Sequence, residues 1–344
     1  MSIIIENEEA SRMKVYVAQP IQPNGIEILE KIAEVVLQQT GRPSTRSAFL
    51  SEIRDVDAVI LPWQTEVMDA EAISIAKNVK VIGRQGVGWE NIDLKAATKK
   101  GVYVTYTPVH IPAVADMAFA LMLATARKLI IADRFTREGN WTVGGEWVPL
   151  QFLGVDIHHK TIGIVGCGRI GSEIAKRAKG FDMTILYYDL VQNHTIEESL
   201  GARRVSLEVL LRESDFIHIN CNLTADTKGL IGEREFGLMK KTAIIVNTAR
   251  GPIVQDEALC NALENKRIAG AGLDVYEKEP PPPDSPLLRL DNVVLAPHIG
   301  SAALETRQKM AEVVCTDAVS VLQGRVPEYL LNPEVIKIRP LAGR

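Results

Sequence analysis

The stretch Thr161–Gly171, TIGIVGCGRIG, decides the fold of this chain of 344 residues. Its first five residues are apolar and mostly β-branched, which is typical of a buried parallel strand. Glycines at 166, 168 and 171 follow directly, with the spacing of a turn that holds a dinucleotide between a strand and a helix. The stretch therefore predicts an α/β fold with a doubly wound parallel sheet and a Rossmann dinucleotide site.

Each glycine of this turn has its own expected role. Gly166 permits a tight turn, Gly168 lets the backbone approach a pyrophosphate, and Gly171 lets the next helix pack against the strand. The phosphates are expected at the N-terminal amides of that helix, which begins near Arg169 and Ile170.

The strand predicted after this helix, Met183–Tyr188, leads into a carboxylate, Asp189. An acid at this position accepts hydrogen bonds from both ribose hydroxyls of NAD and repels the 2′-phosphate of NADP. A strand, a glycine turn, a helix and an acid in this order are far more specific than a glycine-containing turn alone. The sequence therefore predicts NAD as the cofactor.

The composition is that of a globular protein about two domains long, with 46% hydrophobic and 24% charged residues. The net charge of −4 comes from interspersed residues without a basic block, which argues against a nucleic-acid partner. The longest apolar stretch, around residues 113–126, is interrupted by Asp116 and is too short to span a bilayer. We therefore expect no membrane segment, and the acidic N-terminus does not resemble a signal peptide.

The four cysteines, Cys167, Cys221, Cys260 and Cys315, are scattered along the chain. Their spacing fits neither a metal site nor a disulfide framework. We therefore expect no metal and a reducing, cytoplasmic compartment. Cys167 lies inside the glycine turn, where the need for a small residue explains it better than a redox role.

Two alternating series of strands and helices predict two α/β units. The first series is expected to start at Met13, after a polar tail over residues 1–12. Its predicted elements are a helix near residues 25–33 and strands at 58–61, 79–82 and 102–105. The second series starts at Thr161, and its further strands are predicted around 185 and at 216–220, 243–247, 271–275 and 293–296.

An apolar helical stretch, residues 113–127, joins the two units and is a candidate interdomain or dimer-core helix, although a plain core helix gives nearly the same pattern. After a last helix over 302–322, Asn332-Pro333 has no mate in the second unit and is expected to return to the first. We therefore expect a flavodoxin-like substrate-binding domain over 13–112 and 304–336. A Rossmann NAD-binding domain over 113–303 is inserted into it.

Three polar residues follow predicted strands, at the sheet edge where α/β proteins bind ligands. Arg250 precedes Gly251, and its planar guanidinium suits a carboxylate bidentately. His298 ends an apolar strand, and an imidazole held by a carboxylate such as Glu279 can protonate a developing alkoxide near neutral pH. A histidine after a strand is also often structural, and sequence separation alone does not pair it with Glu279.

Four motifs together resemble the D-isomer-specific 2-hydroxyacid dehydrogenases. They are the glycine turn at 166–171, NTARG at 247–251, AGLDV at 271–275 with Glu279, and APHIGS at 296–301. The resemblance covers nearly all of residues 13–333. It implies that Arg250 binds the carboxylate and carbonyl of the substrate, that His298 is the acid/base, and that Glu279 is its partner.

The resemblance implies further contacts as well. Asp274 is expected to contact the nicotinamide carboxamide, and the backbone amides of Val87 and Gly88 are expected to bind the substrate carboxylate. The other cofactor contacts that it implies are Asn222, Thr227, Thr248 and His298.

Within the family, the chain is most similar to the glyoxylate/hydroxypyruvate reductase branch, on ADMAFAL at 115–121, KGF at 179–181 and the proline-rich turn at Glu279. That branch carries tryptophans near the substrate mouth, at the positions of Trp141 and Trp147, for which packing is an equal explanation. Residues 107–110 lack the usual glycine, and Asn222 stands where many members carry proline. The first departure concerns the shape of the substrate loop, and the second concerns one cofactor contact.

The resemblance thus implies an NADH-dependent reductase of a small 2-keto acid, glyoxylate or hydroxypyruvate, acting as a cytoplasmic homodimer. Phosphite dehydrogenase carries lysine where this chain has Val87, and formate dehydrogenase would not need a Glu279–His298 pair. A 3-phosphoglycerate dehydrogenase stays open, although no C-terminal regulatory domain is expected. The alternative of another class is a non-catalytic NAD-sensing corepressor or scaffold, against which the retained Arg250, Glu279 and His298 favour an enzyme.

Overall fold

A computed structural model describes residues 12–38, 40–141 and 151–341. The chain divides into two compact units, Met1–His110 with Ala303–Arg344, and Ile111–Ala302. The second unit interrupts the first, so the first is built from two separate segments. Residues 1–11 of the predicted polar tail and Trp147 lie outside the described residues.

The first unit is built on a parallel sheet of five strands in the order β2-β1-β3-β4-β5. The strands are β1 (Met13–Val17), β2 (Ala33–Leu37), β3 (Ala58–Leu61), β4 (Val81–Arg84) and β5 (Tyr103–Tyr106). Its helices are α1 (Pro23–Glu30), α2 (Arg46–Glu52), α3 (Ala70–Ile75), α4 (Leu94–Lys100) and α12 (Leu304–Leu322), numbered along the whole chain. This strand order is that of flavodoxin-like sheets.

The two faces of this sheet are both buried, as the alternation along β3 shows. Val59 and Leu61 belong to one apolar cluster, and Ala58 and Ile60 belong to another. Side chains alternate between the faces of a strand, so a strand buried on both faces is continuously apolar. Helix α12 contributes Val314 and neighbouring residues to the second cluster.

The second unit is built on a parallel sheet of seven strands in the order β12-β11-β10-β9-β6-β7-β8. The strands are β6 (Thr161–Val165), β7 (Thr184–Tyr188), β8 (Arg203–Arg204), β9 (Phe216–Ile219), β10 (Ile244–Asn247), β11 (Gly270–Leu273) and β12 (Val293–Leu295). The helices are α5 (Ile111–Ala126), α6 (Leu129–Arg137), α7 (Arg169–Lys179), α8 (His194–Leu200), α9 (Leu207–Glu213), α10 (Glu233–Leu238) and α11 (Asp256–Glu264). The predicted fold class, with two parallel-sheet α/β domains, is confirmed.

Three local expectations needed correction or addition. The helix predicted near residues 25–33 ends at Glu30, because Ala33–Leu37 forms strand β2, paired in register with β1. Strand β8 and helix α6 were not predicted at all. Helix α6 buries none of its residues.

The apolar helix α5 lies within the second unit, where it packs on α7 and on strands β10 and β11. Seven of its residues are buried, so it is a core helix of that unit. The unit borders fall between residues 110 and 111 and between residues 302 and 303. Among the described residues, no helix is long and apolar enough to cross a membrane.

Candidate active site

The glycine turn after β6 has the geometry that its sequence predicts. Gly166 has φ +90, and a side chain there would collide with the backbone of Cys221. A side chain at Gly171 would collide with the carbonyl oxygen of Gly166, whereas Gly168 has no atom within 4 Å of a built Cβ. Gly166 and Gly171 are therefore required by packing, and Gly168 leaves open space beside the start of α7.

This open space fits the pyrophosphate of a dinucleotide. Helix α7 begins at Arg169, so its first amides, including that of Ile170, have no acceptor within the helix and face the space beyond its N-terminus. The side-chain amide nitrogen of Asn220, next to the turn, is buried without a hydrogen-bond partner in the described part of the chain. Both features suit an anionic, hydrogen-bonding ligand.

Cys167 sits in this turn as a packed small residue. Burial, with a contribution from the charge of Asp189, raises the pKa of its thiol to about 12. A thiol with such a pKa stays protonated at neutral pH and is a poor nucleophile. The structure therefore gives no support to a redox role.

Asp189 follows β7 and holds the glycine turn from the side. One carboxylate oxygen accepts the amide of Cys167 at 2.7 Å, and the other accepts the amide of Val191 at 3.1 Å. The carboxylate is thus fixed at the end of β7, where the ribose-binding acid of a Rossmann site lies. Arg204 donates to the carbonyl oxygens of Asp189 and Leu190, which places a cation beside the same segment.

The other residues that the resemblance assigns to the cofactor lie in loops after strands β9 and β10. The hydroxyl of Thr227 donates to the carbonyl of Asn222 at 2.6 Å and accepts the amide of Thr224 at 2.8 Å, so it closes its own loop. Asn222 is exposed, and Thr248 is half-buried directly after β10.

The position of Arg250 depends on the close approach of two loops, which contain Gly251 and Tyr276. A side chain at Gly251 would overlap the backbone of Tyr276, so only glycine lets the chain turn directly after Arg250. The guanidinium of Arg250 donates to the carbonyl of Ala249 at 2.7 Å. Its charge is also close enough to contribute to the lowered pKa of Glu279.

His298 and Glu279 form a direct pair. The Nδ1 atom of His298 lies 2.7 Å from Oε2 of Glu279, and the other carboxylate oxygen accepts the amide of Tyr276 at 3.1 Å. Burial alone would raise the pKa of Glu279, but His298, the Tyr276 amide and Arg250 together hold that pKa below its ordinary value. A carboxylate on Nδ1 leaves Nε2 as the ring atom for proton transfer.

Asp274 is buried and positions the His298 turn. Its two carboxylate oxygens accept the backbone amides of Ile299 and Gly300, both at 2.7 Å. Burial raises the pKa of Asp274, and these two hydrogen bonds oppose the rise. His298 itself has φ 55, a left-handed conformation that is uncommon for residues other than glycine. Such strain is often found at functional sites.

The predicted substrate loop lies in the first unit, after β4. Gly88 is buried and Val87 is half-buried, and the described residues contain no hydrogen-bond acceptor for either amide. Amides without a protein acceptor are available to donate to a ligand or to water. Trp141, by contrast, is 69% exposed.

Two buried or half-buried arginines of the first unit were not predicted from the sequence. Arg84 ends β4, is only 6% exposed, and donates to four backbone carbonyls around the Val87–Gly88 loop. Arg307 lies over the ring of Trp63 at 4.7 Å, and burial lowers its pKa. A charged residue directly after the apolar run at 81–83 is the signal that marks Arg84.

The comparisons with known proteins agree with this geometry. A family model for the NAD binding domain of D-isomer specific 2-hydroxyacid dehydrogenases matches residues 119–300, which include the glycine turn, Arg250, Glu279 and His298. The chain belongs to the D-isomer specific 2-hydroxyacid dehydrogenase family. As a 2-hydroxyacid dehydrogenase it is an oxidoreductase that acts on the CH–OH group of its donor.

Curated relatives of this dehydrogenase span nearly the whole chain. A glyoxylate reductase of Thermococcus kodakarensis is 48% identical over 330 residues, which are 95% of this chain and 98% of the relative. A glyoxylate reductase of Korarchaeum cryptofilum is 46% identical over 328 residues, with the same coverage of 95% and 98%. The resemblance to this branch of the 2-hydroxyacid dehydrogenases is therefore confirmed.

Solved structures of other family members have the same fold. The TT0316 protein from Thermus thermophilus has a TM-score of 0.87 and 38% identity, and the match covers 93% of this dehydrogenase and 100% of that chain. An NADPH-dependent glyoxylate/hydroxypyruvate reductase from Sinorhizobium meliloti, in complex with NADP and malonate, has a TM-score of 0.82 and 29% identity, with coverage of 94% and 98%. Relatives of this dehydrogenase thus include an enzyme that binds NADP.

Proposed function

We propose that this dehydrogenase reduces glyoxylate to a 2-hydroxyacid with NADH, and that hydroxypyruvate is its second substrate. The Glu279–His298 pair carries the proposal, because reduction of a keto acid needs a proton donor beside the developing alkoxide. The curated relatives named above, with 46% and 48% identity, support glyoxylate as the substrate.

Each residue of the proposed site has a role that follows from its chemistry. Bound NADH would supply the hydride. His298 delivers the proton from Nε2, while Glu279 holds the ring from Nδ1 and stabilises its protonated form. Arg250 binds the carboxylate of the keto acid and polarises its carbonyl. In the first unit, the amides of Val87 and Gly88, which have no acceptor in the described part of the chain, are proposed donors to a substrate carboxylate.

The proposed cofactor is NAD, bound at the turn of Gly166, Gly168 and Gly171. Asp189 at the end of β7 supports this choice, because its charge repels a 2′-phosphate. One observation favours NADP as a second candidate: Arg204 binds the backbone of Asp189 and Leu190, beside the position of the ribose. Measuring kcat/KM with both cofactors separates the two.

The proposed assembly is a homodimer in the cytoplasm. Helix α6 buries none of its residues within the chain, and Leu129 and Ile130 are 58% and 46% exposed. Apolar side chains grouped on one helix are often covered by a partner. Light scattering on the full chain tests this, and a monomer at micromolar concentration would contradict it.

The first experiment follows NADH consumption by the full-length protein with glyoxylate, hydroxypyruvate, pyruvate and a bulkier 2-keto acid. We expect the highest kcat/KM with glyoxylate, and phosphite with NAD should give no NADH. His298→Ala should lower kcat by at least about 100-fold with NADH binding retained, because general acid catalysis typically contributes that much. Arg250→Ala should raise KM, since Arg250 holds the carboxylate in the ground state, and should lower kcat as well, since Arg250 also polarises the carbonyl where charge develops in the transition state.

A specific result would overturn the proposal. If NADH binds but none of the keto acids increases its oxidation, the chain is an NAD-binding sensor or scaffold on the same fold. If His298→Ala and Arg250→Ala keep the turnover of the unaltered protein, the proposed site is wrong.

A further inference from the structure

Asn193, at the start of α8, uses both ends of its side-chain amide. Its Oδ1 accepts the amide of Ile196 at 3.4 Å and so caps the helix. Its Nδ2 donates to the carbonyl of Cys167 at 2.9 Å and to Oγ of Ser172 at 3.0 Å. Cys167 belongs to the glycine turn, and Ser172 lies in the first turn of α7. Asn193 therefore connects the segment after β7 to the turn after β6.

The backbone of Asn193 is held as well. Its amide donates to the hydroxyl of Tyr187 at 2.9 Å, and that hydroxyl donates to Oε1 of Glu197 at 2.7 Å. Tyr187 is fully buried in β7, so this anchor belongs to the core of the second unit. A side chain that is ordered before a ligand arrives adds no ordering cost to binding.

The carbonyls of the glycine turn are held, and this sets the direction of its amides. The peptide bond between Cys167 and Gly168 is trans and planar, so the amide of Gly168 points opposite to the carbonyl that Asn193 holds. The carbonyl of Gly168 accepts the amide of Ser172 at 2.9 Å and its hydroxyl at 2.8 Å, which fixes the amide of Arg169 in the same way. The amides of Gly168 and Arg169, here called the turn amides, have no acceptor in the described part of the chain.

We propose that Asn193 is a positioning residue for the cofactor: it holds the peptide between Cys167 and Gly168 so that the turn amides donate to the pyrophosphate of NADH. This inference rests on the proposed binding of NADH at the glycine turn. Asn193 acts through the backbone of the turn. Asp189, in the same segment, accepts the amide of Cys167, so the ribose acid and the turn amides are positioned together.

The test variant is Asn193→Ser. Serine keeps an oxygen that caps α8, but its side chain is too short to reach the carbonyl of Cys167. The Kd of NADH should rise by about tenfold, as expected for a weakened hydrogen bond to a charged group. The Kd of adenosine, which has no phosphate, should stay unchanged, whereas a general distortion of the site would weaken both ligands. Fluorescence titration measures NADH binding, and ligand-observed NMR measures adenosine binding.

The matched control is Ser206→Ala in the same unit. Ser206 is also an N-cap: its hydroxyl accepts the amide of Val209 at 3.3 Å at the start of α9. Loss of this cap should lower the thermal midpoint and leave the Kd of NADH and the Kd of adenosine unchanged. If Asn193→Ser gives the same pattern as this control, the role of Asn193 is purely structural and the proposal is overturned.

Hydrogen exchange at the Gly168 amide tests the inference in the unaltered protein as well. Exchange should slow when ADP-ribose, which contains the pyrophosphate, is bound, and Asn193→Ser should reduce that protection at equal occupancy. Unchanged exchange in the unaltered protein, or equal protection in the variant, would overturn the inference. None of these measurements needs turnover. If NADH binds as expected but no keto acid is reduced, the proposed reductase function fails while the role of Asn193 stands.

Discussion

At the scale of single residues, the site depends on a few side chains whose backbone is held in unusual positions. His298 has a left-handed backbone, and the Asp274 carboxylate holds the two residues that follow it. Left-handed geometry at a residue other than glycine costs about 1–3 kcal/mol and persists only where neighbours enforce it. Asp274 and Glu279 therefore fix both the backbone and the ring of the proposed acid/base.

Replacing Glu279 tests how much this orientation matters. Glu279→Gln keeps a hydrogen-bond acceptor for Nδ1 of His298 but removes the charge that stabilises the imidazolium. We expect kcat for keto-acid reduction to fall by roughly 10- to 100-fold. Initial rates at saturating NADH and keto acid measure this.

The exposed neighbour Glu277 provides the control for that variant. Glu277→Gln keeps an acceptor for the amide of Asp256 and should leave kcat unchanged. An unchanged kcat in Glu279→Gln would mean that another group holds His298.

Asp189 is expected to set the cofactor preference. Asp189→Ala removes both the ribose acceptor and the repulsion of a 2′-phosphate, so the ratio of kcat/KM with NADH to that with NADPH should fall by about tenfold or more. Arg204→Ala makes the opposite test, because it removes the cation bound to the same segment. If neither substitution changes the ratio of kcat/KM with NADH to that with NADPH, another group recognises the ribose.

The sequence predicted part of this residue-scale site. The roles of Gly166 and Gly171 were predictable because strand, turn and helix are neighbours in the chain. The 2.7 Å contact between Glu279 and His298 joins residues that the sequence could propose as partners but not bring together. The four carbonyl bonds of Arg84 escaped prediction because backbone acceptors leave no mark in the sequence.

At the scale of elements, strand β9, the central strand of the second sheet, contains a buried histidine. His218 is 1% exposed, its Nε2 lies 3.4 Å from the sulfur of Met122 in α5, and its Nδ1 has no partner in the described residues. Burial lowers the pKa of His218 to about 3. The imidazole is therefore neutral in the folded enzyme, and protonation favours unfolding.

His218 should make the second unit sensitive to acid. The folded pKa of about 3 lies below the ordinary value of 6.5, so this group does not lower the free energy of unfolding above pH 6.5 but lowers it as the pH falls from 6.5 toward 3. In that range, one such group lowers the free energy of unfolding by about 1.4 kcal/mol per pH unit. His218→Leu should reduce this loss in urea unfolding at pH 7, 6 and 5, whereas Met122→Leu, which keeps the imidazole, should retain it.

Most elements were predictable because each strand of a parallel sheet is a short apolar run between helices. Strand β3 was predicted to the residue, since all four positions are apolar and buried on both faces. Strand β2 was missed because its AEVVL sequence continues the helical pattern of α1, and only pairing with β1 makes it a strand. Helix α6 was missed because it begins only three residues after the end of α5, so it was not distinguished from the apolar stretch predicted over 113–127.

At the scale of the whole molecule, one unit is continuous in sequence and the other is not. Residues 111–302 contain a complete seven-stranded sheet with its own apolar clusters. The first unit needs both of its segments: the amide of Leu331 donates to Val104 in β5, and Asn332 bonds to the backbone of the same strand. Only the second unit is expected to be self-sufficient.

The isolated segment 111–302 should fold and bind NADH without catalysing reduction. It keeps the glycine turn and Asp189 but lacks the Val87–Gly88 loop. We expect a cooperative thermal transition and a Kd for NADH within about tenfold of that of the full chain, because a 1.4 kcal/mol loss corresponds to that factor. Fluorescence titration measures the Kd, and a segment without a cooperative transition would refute its independence.

The divided first unit also sets an order of events during synthesis. Domains tend to fold as units while the chain emerges from the ribosome. The cluster around Val15 and Ile60 lacks Val314, Cys315 and Ala318 until α12 has been made. The second unit can therefore fold while one face of the first sheet is not yet covered by α12. The strands of the first unit are synthesised first, but that unit is completed last, and during this interval its exposed apolar face makes the nascent chain most dependent on a chaperone.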